Sequence, residues 1–259
     1  MTKKLVIFNW KMNPQTFSEA KGLLSILNTK YLIPNIEYVI CPPFIYLSEV
    51  LKIKNLKLKI GAQNTFWAAE GAYTGEISSK MLKNLGVEYV IIGHSERRAI
   101  GETDEIINKK VLASLNAGLK VILCIGEPSR PKTKNLQPAT KTKQYIKTQL
   151  QKYLKGIANL SINKLPNSLI IAYEPIWAIS SSKNSKQDTP QDAIEMIKFI
   201  KQFLTTKYYL PSVKTLYGGS VSSKNITDFI NQSEIDGALV GHASADKKEF
   251  TKILKILNK

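Results

Sequence analysis

Short apolar runs alternate with longer amphipathic segments along almost the whole of this 259-residue chain. The runs are rich in β-branched residues and are bounded by Gly, Pro or Asn, which is typical of strands buried on both faces. They lie at residues 5–8, 38–41, 58–60, 89–92, 121–125, 169–173, 215–217 and 237–240. Eight strand-then-helix units in this length favour a closed (β/α)8 barrel, formed by a single domain over residues 1–259.

An open, doubly wound sheet would show the same alternation, and two observations favour the barrel. The chain has no G-x-G-x-x-G after its first run and no G-x-x-x-x-G-K-[ST], so neither common nucleotide-binding crevice is encoded. Polar or unusual residues also follow the apolar runs closely: Asn9, Lys11, His94, Glu174, Ser220, Gly241 and His242. In a closed barrel the carboxyl ends of the strands meet at one face, where such enzymes place their chemistry.

Helical periodicity predicts several amphipathic helices between the runs. Their apolar stripes are Phe17, Ala20, Leu24 and Leu27; Ile146, Leu150, Tyr153, Leu154 and Ile157; and Phe250, Ile253, Leu254 and Leu257. We expect helices to start at three places: Asp104, Thr189 before Pro190, and Ser222 or Ser223.

The small number of cysteines and histidines excludes two classes of protein. Cys41 and Cys124 are too few for a secreted disulfide framework, and with His94 and His242 they do not supply a clustered zinc site. No stretch approaches the ~20 apolar residues of a membrane span, and the run at 5–8 is too short for a signal-peptide core. We therefore expect a soluble, metal-free cytoplasmic protein without a membrane partner.

The chain carries 37 basic and 20 acidic residues, a net charge of +17. Almost all of the excess is lysine, whereas a nucleic-acid site would use more arginine, so we expect no nucleic-acid partner. Nine basic residues and no acidic ones lie between Pro128 and Tyr173. We interpret this block as the solvated outer face of a helix; the alternative is a docking patch for an anionic polymer.

His94 follows a strand that breaks at Gly93, and a dense charged cluster comes after it. A lone histidine is more often structural than catalytic. Here the next segment can begin a helix, whose N-terminal amides would keep the imidazole neutral and able to donate a hydrogen bond. For Arg97 and Arg98 we expect local ion pairs.

Glu174 lies at the end of a buried strand, fixed by Pro175 and near Trp177. A carboxylate there is costly unless it is used or paired, and apolar neighbours would make it a useful general base. The alternative is a buried ion pair with Lys11. Lys11, close to Asn9 at the same barrel face, could instead hold a phosphorylated substrate and stabilise a developing oxyanion.

Two glycine-containing loops follow the last two strands, at 217–221 and 239–244. Either loop alone would more often be a tight turn than a ligand site. Phosphate sites of (β/α)8 barrels typically lie after strands 7 and 8, where free backbone N–H groups point at the anion. The pair of loops therefore indicates a phosphate-binding site.

In combination, these motifs resemble the triosephosphate isomerase family. The residues that carry the resemblance run from Asn9 almost to the C-terminus: Asn9–Asn13, Gly61–Asn64, Gly71–Glu76, Gly93–Arg98, Ala172–Ile179 and Tyr217–Val221. The resemblance implies interconversion of dihydroxyacetone phosphate and glyceraldehyde 3-phosphate through an enediolate, without cofactor or metal. A barrel that binds phosphate compounds or anionic polymers and has lost catalysis is the rival hypothesis.

The resemblance also implies the catalytic roles. Glu174 would move the proton between two carbons, neutral His94 would polarise the carbonyl, and Lys11 with Asn9 would stabilise charge on the oxygen. Two further residues, Glu96 and Cys124, would support this geometry.

Phosphate binding and assembly are implied in the same way. The amides of Ser180, Ser220, Gly241 and His242 would hold the phosphate, and a loop from Pro175 to about Lys186 would close over it. The loop Asn64–Glu76 would insert into a second subunit, with Thr74 reaching the other active site, which implies a homodimer. The chain departs from the family pattern in three respects. Ser180-Ser181-Ser182 replaces Gly-Thr-Gly, and His242 replaces a glycine. Phe8 stands where a small residue is common, and the segment after Glu127 is unusually basic and contains prolines.

Overall fold

The computed structural model describes residues 3–27, 31–52, 58–129, 137–160, 165–179 and 188–258. Within them, eight parallel strands close into a barrel in chain order, which confirms the predicted barrel and excludes the open sheet. The strands are β1 (Lys4–Asn9), β2 (Ile36–Cys41), β3 (Leu58–Ala62), β4 (Tyr89–Ile92), β5 (Lys120–Ile125), β6 (Leu169–Tyr173), β7 (Lys214–Tyr217) and β8 (Gly237–Val240). Each predicted apolar run is thus the core of a strand.

Helices fill the connections between the strands. They are α1 (Phe17–Leu27), α2 (Leu47–Leu51), α3 (Ser79–Leu85), α4 (Ser95–Ala99), α5 (Asp104–Asn116), α6 (Gln137–Tyr153), α7 (Leu165–Ser168), α8 (Pro190–Tyr208), α9 (Ile226–Ile230) and α10 (Lys247–Leu257). None of the described helices combines the length and apolar character that a membrane crossing requires.

The predicted helix starts have three different outcomes. Thr189 caps α8 by accepting a hydrogen bond from the Asp192 N–H, as predicted. Thr103, one residue before Asp104, caps α5. The expected start at Ser222 or Ser223 is wrong, because α9 begins after Asn225. The N–H of Ser222 donates to the Asn225 side chain and that of Ser223 to Glu249 of α10, so both serines are held in the preceding turn.

Successive strand residues face opposite sides of the barrel wall and form two apolar layers. Leu5 and Ile7 of β1 belong to the cluster inside the barrel, whereas Val6 and Phe8 pack with the helices. The Phe8 ring contacts Phe250 of α10 edge-on, with 4.7 Å between ring centroids. The predicted helical stripes are buried in this outer layer, except that Phe17 is half-exposed at the start of α1.

The basic helix α6 buries its apolar stripe and turns its lysines outward, as the solvated-face interpretation predicts. Lys152 pairs with Asp104 of α5 at 2.6 Å, and Lys143 pairs with Glu195 of α8 at 2.7 Å. These pairs neutralise part of the basic block. Four further members of the block, Arg130, Lys132, Lys134 and Lys164, lie outside the described residues.

Candidate active site

A cavity of about 380 Å³ opens at the carboxyl ends of the strands. Predicted site residues from five strand ends line it together: Asn9, Lys11, His94, Glu174, Ser220, Gly241 and His242. The barrel therefore joins residues that lie up to 233 positions apart in the sequence, because parallel strands end on the same face. Ser180, predicted at the same site, lies outside the described residues.

Glu174 directly follows β6, and only 1% of its surface is exposed. Its backbone N–H donates to the Ile125 carbonyl at 2.7 Å, which fixes the chain at this point. Neither carboxylate oxygen accepts a hydrogen bond of ordinary geometry from a described residue. The His94 imidazole lies beside the carboxylate, with Nε2 3.5 Å from Oε1. A buried carboxylate without such bonds is well suited to accept a proton from a bound molecule.

Two glycines leave the space that Glu174 occupies. A Cβ atom on Gly126, after β5, would lie 1.7 Å from the Glu174 carbonyl oxygen, and one on Gly218, after β7, would lie 2.7 Å from its Cγ. Both distances are far below van der Waals contact. The two glycines at the neighbouring strand ends therefore leave room for Glu174, because any side chain at either position would displace it. Sequence reasoning assigned Gly218 only to a phosphate loop and did not single out Gly126.

His94 caps the short helix α4, as the sequence predicts. Its Nδ1 accepts a hydrogen bond from the Glu96 N–H at 3.2 Å. A nitrogen that accepts carries no proton, so the proton of the neutral ring lies on Nε2. Nε2 faces the cavity beside Glu174, and the imidazole is therefore oriented to donate a hydrogen bond to a bound molecule.

Lys11 pairs with Glu96, and the Nζ–Oε1 distance is 2.6 Å. The alternative of a buried Lys11–Glu174 ion pair is therefore wrong. The Lys11 backbone has a left-handed φ of 54°; its N–H donates to Asn9 Oδ1 at 3.0 Å, and its carbonyl accepts from Gln63 at 2.8 Å. These bonds stabilise a conformation that costs about 1–2 kcal/mol for a residue with a Cβ.

The two arginines after Glu96 have different partners. Arg97 pairs with Glu102 at 2.7 Å, which confirms the expected local ion pair. For Arg98 that expectation is wrong, because among the described residues its guanidinium donates to the carbonyls of Gly93 and Cys124. Arg98 thereby links the ends of β4 and β5 beneath His94. A planar donor of five N–H groups suits such carbonyl binding.

The opposite side of the cavity is formed by the two predicted phosphate loops. The hydroxyl of Ser244 lies 2.7 Å from the Gly241 carbonyl and 3.1 Å from that of Asn9, which ties the eighth-strand loop to β1. The Asn225 side chain donates to the Ser220 carbonyl at 2.8 Å. The N–H groups of Ser220 and His242 donate to no acceptor in the described part of the chain. They are available to bind an anion.

Cys124 and Thr74 lie outside the cavity lining. Cys124 is fully buried inside the barrel, where burial, and then the nearby charge of Glu174, raise the pKa of its thiol. Thr74 is exposed in the loop after β3, as a residue that contacts a second subunit would be.

Glu127 is a buried carboxylate that the sequence analysis did not single out. Glu127 is 2% exposed and accepts hydrogen bonds from the Tyr173 hydroxyl at 3.0 Å and from Trp177 Nε1 at 2.7 Å. It thereby holds the segment that follows Glu174. Its position just after β5 is the signal that could have revealed it, since every strand end of the barrel faces the same side.

Known proteins resemble this chain along nearly its full length. The family model described as triosephosphate isomerase matches residues 4–257. A protein of Caldanaerobacter subterraneus subsp. tengcongensis named triosephosphate isomerase is 45% identical, and the match covers 98% of this chain and 99% of that protein. Proteins of the same name from Thermoanaerobacter sp. (strain X514) and Dictyoglomus thermophilum are 43% and 40% identical, over 98% of this chain and 99% and 100% of theirs. The chain belongs to the triosephosphate isomerase family.

Proposed function

We propose that the protein interconverts dihydroxyacetone phosphate and D-glyceraldehyde 3-phosphate by proton transfer through an enediolate. The observation that carries this proposal is the pair Glu174 and His94. A buried carboxylate and the Nε2 of a neutral imidazole lie 3.5 Å apart at one cavity wall. Proton removal next to a carbonyl needs this combination of a base and a hydrogen-bond donor.

In the proposed mechanism, Glu174 takes a proton from one substrate carbon and returns it to the neighbouring carbon. His94 donates a hydrogen bond from Nε2 to the carbonyl oxygen, where negative charge develops. Lys11 and the amide group of Asn9 add a positive charge and a further donor beside that oxygen. Glu96 supports both neighbours, because its N–H orients His94 and its carboxylate holds Lys11. Cys124 packs beneath Glu174 as a positioning residue.

For the phosphate we propose the backbone N–H groups of Ser180, Ser220, Gly241 and His242 as donors. We also propose that the loop from Pro175 to about Lys186 closes over it, which would keep water from an enediolate that otherwise eliminates phosphate. The anchored turn Ile176–Ala178, held through Trp177, provides a fixed base for that movement. The rival hypothesis of a binding barrel without catalysis is not favoured, since all four proposed catalytic side chains line one cavity.

We further propose a homodimer in which the loop Asn64–Glu76 enters the partner and Thr74 reaches its active site. Most of the exposed large apolar side chains among the described residues lie between residues 12 and 100, in the segments after β1 to β4. Met12 is 84% exposed, Ile45 75% and Met81 60%. Because these strands are neighbours in the barrel, the side chains share one side of the molecule, where burial against a second copy would remove them from water.

A cytoplasmic location is part of the same proposal. Both cysteines of the chain, Cys41 and Cys124, are free thiols in the barrel interior. Free thiols are typical of proteins in a reducing compartment.

The first prediction concerns the proposed base. Glu174→Gln keeps the size of the side chain and removes its basicity, so kcat should fall by about 10²–10⁴-fold in a coupled isomerase assay. Glu195→Gln, on the exposed face of α8, is the matched control and should retain full activity. A Glu174→Gln enzyme that turns over as fast as wild type would exclude the mechanism.

A second prediction tests how the base is positioned. The Cβ of Gly218→Ala would lie 2.7 Å from Glu174 Cγ and displace the carboxylate, so kcat/KM should fall by about 10²-fold while the far-UV circular dichroism spectrum is unchanged. In the control Gly22→Ala the new Cβ meets only the Lys247 ammonium at 3.7 Å. Equal activity of both variants would show that Gly218 does not position Glu174.

The third prediction concerns assembly. In sedimentation equilibrium the protein should have about twice its chain mass of 29.0 kDa, and Ile45→Glu should shift it toward the monomer by placing a charge in the apolar interface. Activity should fall in parallel, because Thr74 of each subunit supports the other site. Tyr145→Glu, an equivalent change on the exposed face of α6, should stay dimeric. A monomeric wild-type protein would contradict the proposal.

A further inference from the structure

His242 brings an imidazole to the phosphate side of the cavity. It follows Gly241 in the eighth-strand loop, and its side chain is exposed to solvent at the cavity wall. The ring forms no hydrogen bond or ion pair with any residue that the structure describes. Its charge and its donor groups are therefore available to a bound molecule.

The other charged or titratable groups of the cavity supply little positive charge to the phosphate side. Those groups are Lys11, His94, Glu174, Asp246 and Glu249. Lys11 already shares its charge with Glu96 at 2.6 Å. The Nδ1 of His94 is committed to the Glu96 N–H, so that ring is held as the neutral form.

The two carboxylates at the start of α10 are held in place by backbone N–H groups. Asp246 accepts from the Glu249 N–H at 2.7 Å, and Glu249 accepts from the Ser223 N–H at 2.8 Å. The bonds from Ser223 lower the pKa of Glu249, so its carboxylate is ionised at neutral pH. An incoming phosphate dianion thus meets two fixed negative charges.

Among the described elements, β1 and α10 make the main contacts with the His242 turn. From the β1 side the facing charge is Lys11, whose Cε would lie 3.1 Å from a Cβ on Gly241. From α10 come Glu249 and the lysines Lys247 and Lys248. The Lys247 ammonium lies 3.7 Å from a Cβ placed on Gly22, which directs it toward α1. Within the described cavity lining, His242 is the group that can supply a further positive charge.

We propose that the His242 side chain binds the substrate phosphate, and that its protonation sets the affinity of the enzyme for phosphorylated triose. Imidazole is the side chain whose charge ordinarily changes between pH 5 and 8. Substrate affinity is then higher in mildly acidic conditions and falls as the pH rises. This inference rests on the proposed function, since it assigns a further binding residue to the same site.

Sulfate separates this effect from the titration of the substrate, because the phosphate group itself titrates at about pH 6 whereas sulfate remains a dianion. The inhibition constant of sulfate, as a competitor of glyceraldehyde 3-phosphate, is measured from pH 5.5 to 8.5 at constant ionic strength. Sulfate should bind about fivefold more tightly at pH 5.5 than at pH 8.5, the size expected of a solvent-exposed ion pair.

Two variants assign the effect to His242. His242→Asn has a neutral polar side chain, and its sulfate affinity should lose most of this pH dependence and remain at the weak, alkaline value. His242→Lys is cationic throughout the range, so its affinity at pH 8.5 should match that of wild type at pH 5.5. Any pH effect from the rest of the site is common to all three proteins and cancels in the comparison. If His242→Asn keeps the wild-type affinity and pH profile, the inference is wrong.

A second readout separates this inference from the proposed function. The rise in melting temperature caused by sulfate, compared among the three proteins at pH 5.5 and 8.5, reports binding without turnover. A protein that shows the predicted sulfate pattern but no isomerisation would exclude the proposed function and keep the anion site. If the protein is an active isomerase and its sulfate affinity is the same in wild type and in both His242 variants, only the inference is excluded.

Discussion

The burial of the Glu174 carboxylate is the constraint around which the rest of the site is arranged. Placing an ionised carboxyl group in an apolar interior without hydrogen bonds is unfavourable by several kcal/mol, as measured on buried ions in general. The barrel supports it through its backbone, since the Glu174 N–H donates to β5 and two glycines leave room for it. The buried carboxylate therefore lowers the stability of the fold, but it places an oxygen atom that can accept a proton at the cavity.

The charges around the site keep that base free. Lys11 is the cation that could have neutralised Glu174, but it pairs with Glu96 across the cavity mouth. The N–H of the same Glu96 donates to His94. One residue therefore pairs with the lysine and also fixes the tautomer of the imidazole. If Lys11 moved to Glu174, the two groups would form an ordinary buried ion pair, and the carboxylate would no longer be free to contact a bound molecule.

Most of the barrel could be predicted from the sequence, because strands buried on both faces leave unbroken apolar runs and strand ends carry the polar residues. Lys11, His94 and Glu174 were found for that reason. The pairing of Lys11 with Glu96 could not be predicted from the sequence. The two residues lie 85 positions apart, and the contact depends on the left-handed backbone at Lys11. Likewise, the start of α9 depends on a hydrogen bond from the Ser223 N–H to Glu249 of α10. This long-range contact cannot be predicted from the residues next to the helix start. Gly126 acts through the backbone of the neighbouring strand end, where sequence spacing carries little information.

The most direct test of the account is the fate of the transferred hydrogen. Dihydroxyacetone phosphate is converted in deuterium oxide, and the glyceraldehyde 3-phosphate formed is analysed by NMR. The account predicts deuterium at C2 of the product, because a proton held on the Glu174 carboxyl group can exchange with solvent before it is returned. Turnover that leaves C2 without deuterium would contradict an exchangeable proton on the Glu174 carboxyl group. A Glu174→Gln variant with the rate and the C2 deuterium content of wild type would contradict the role of Glu174 as the base.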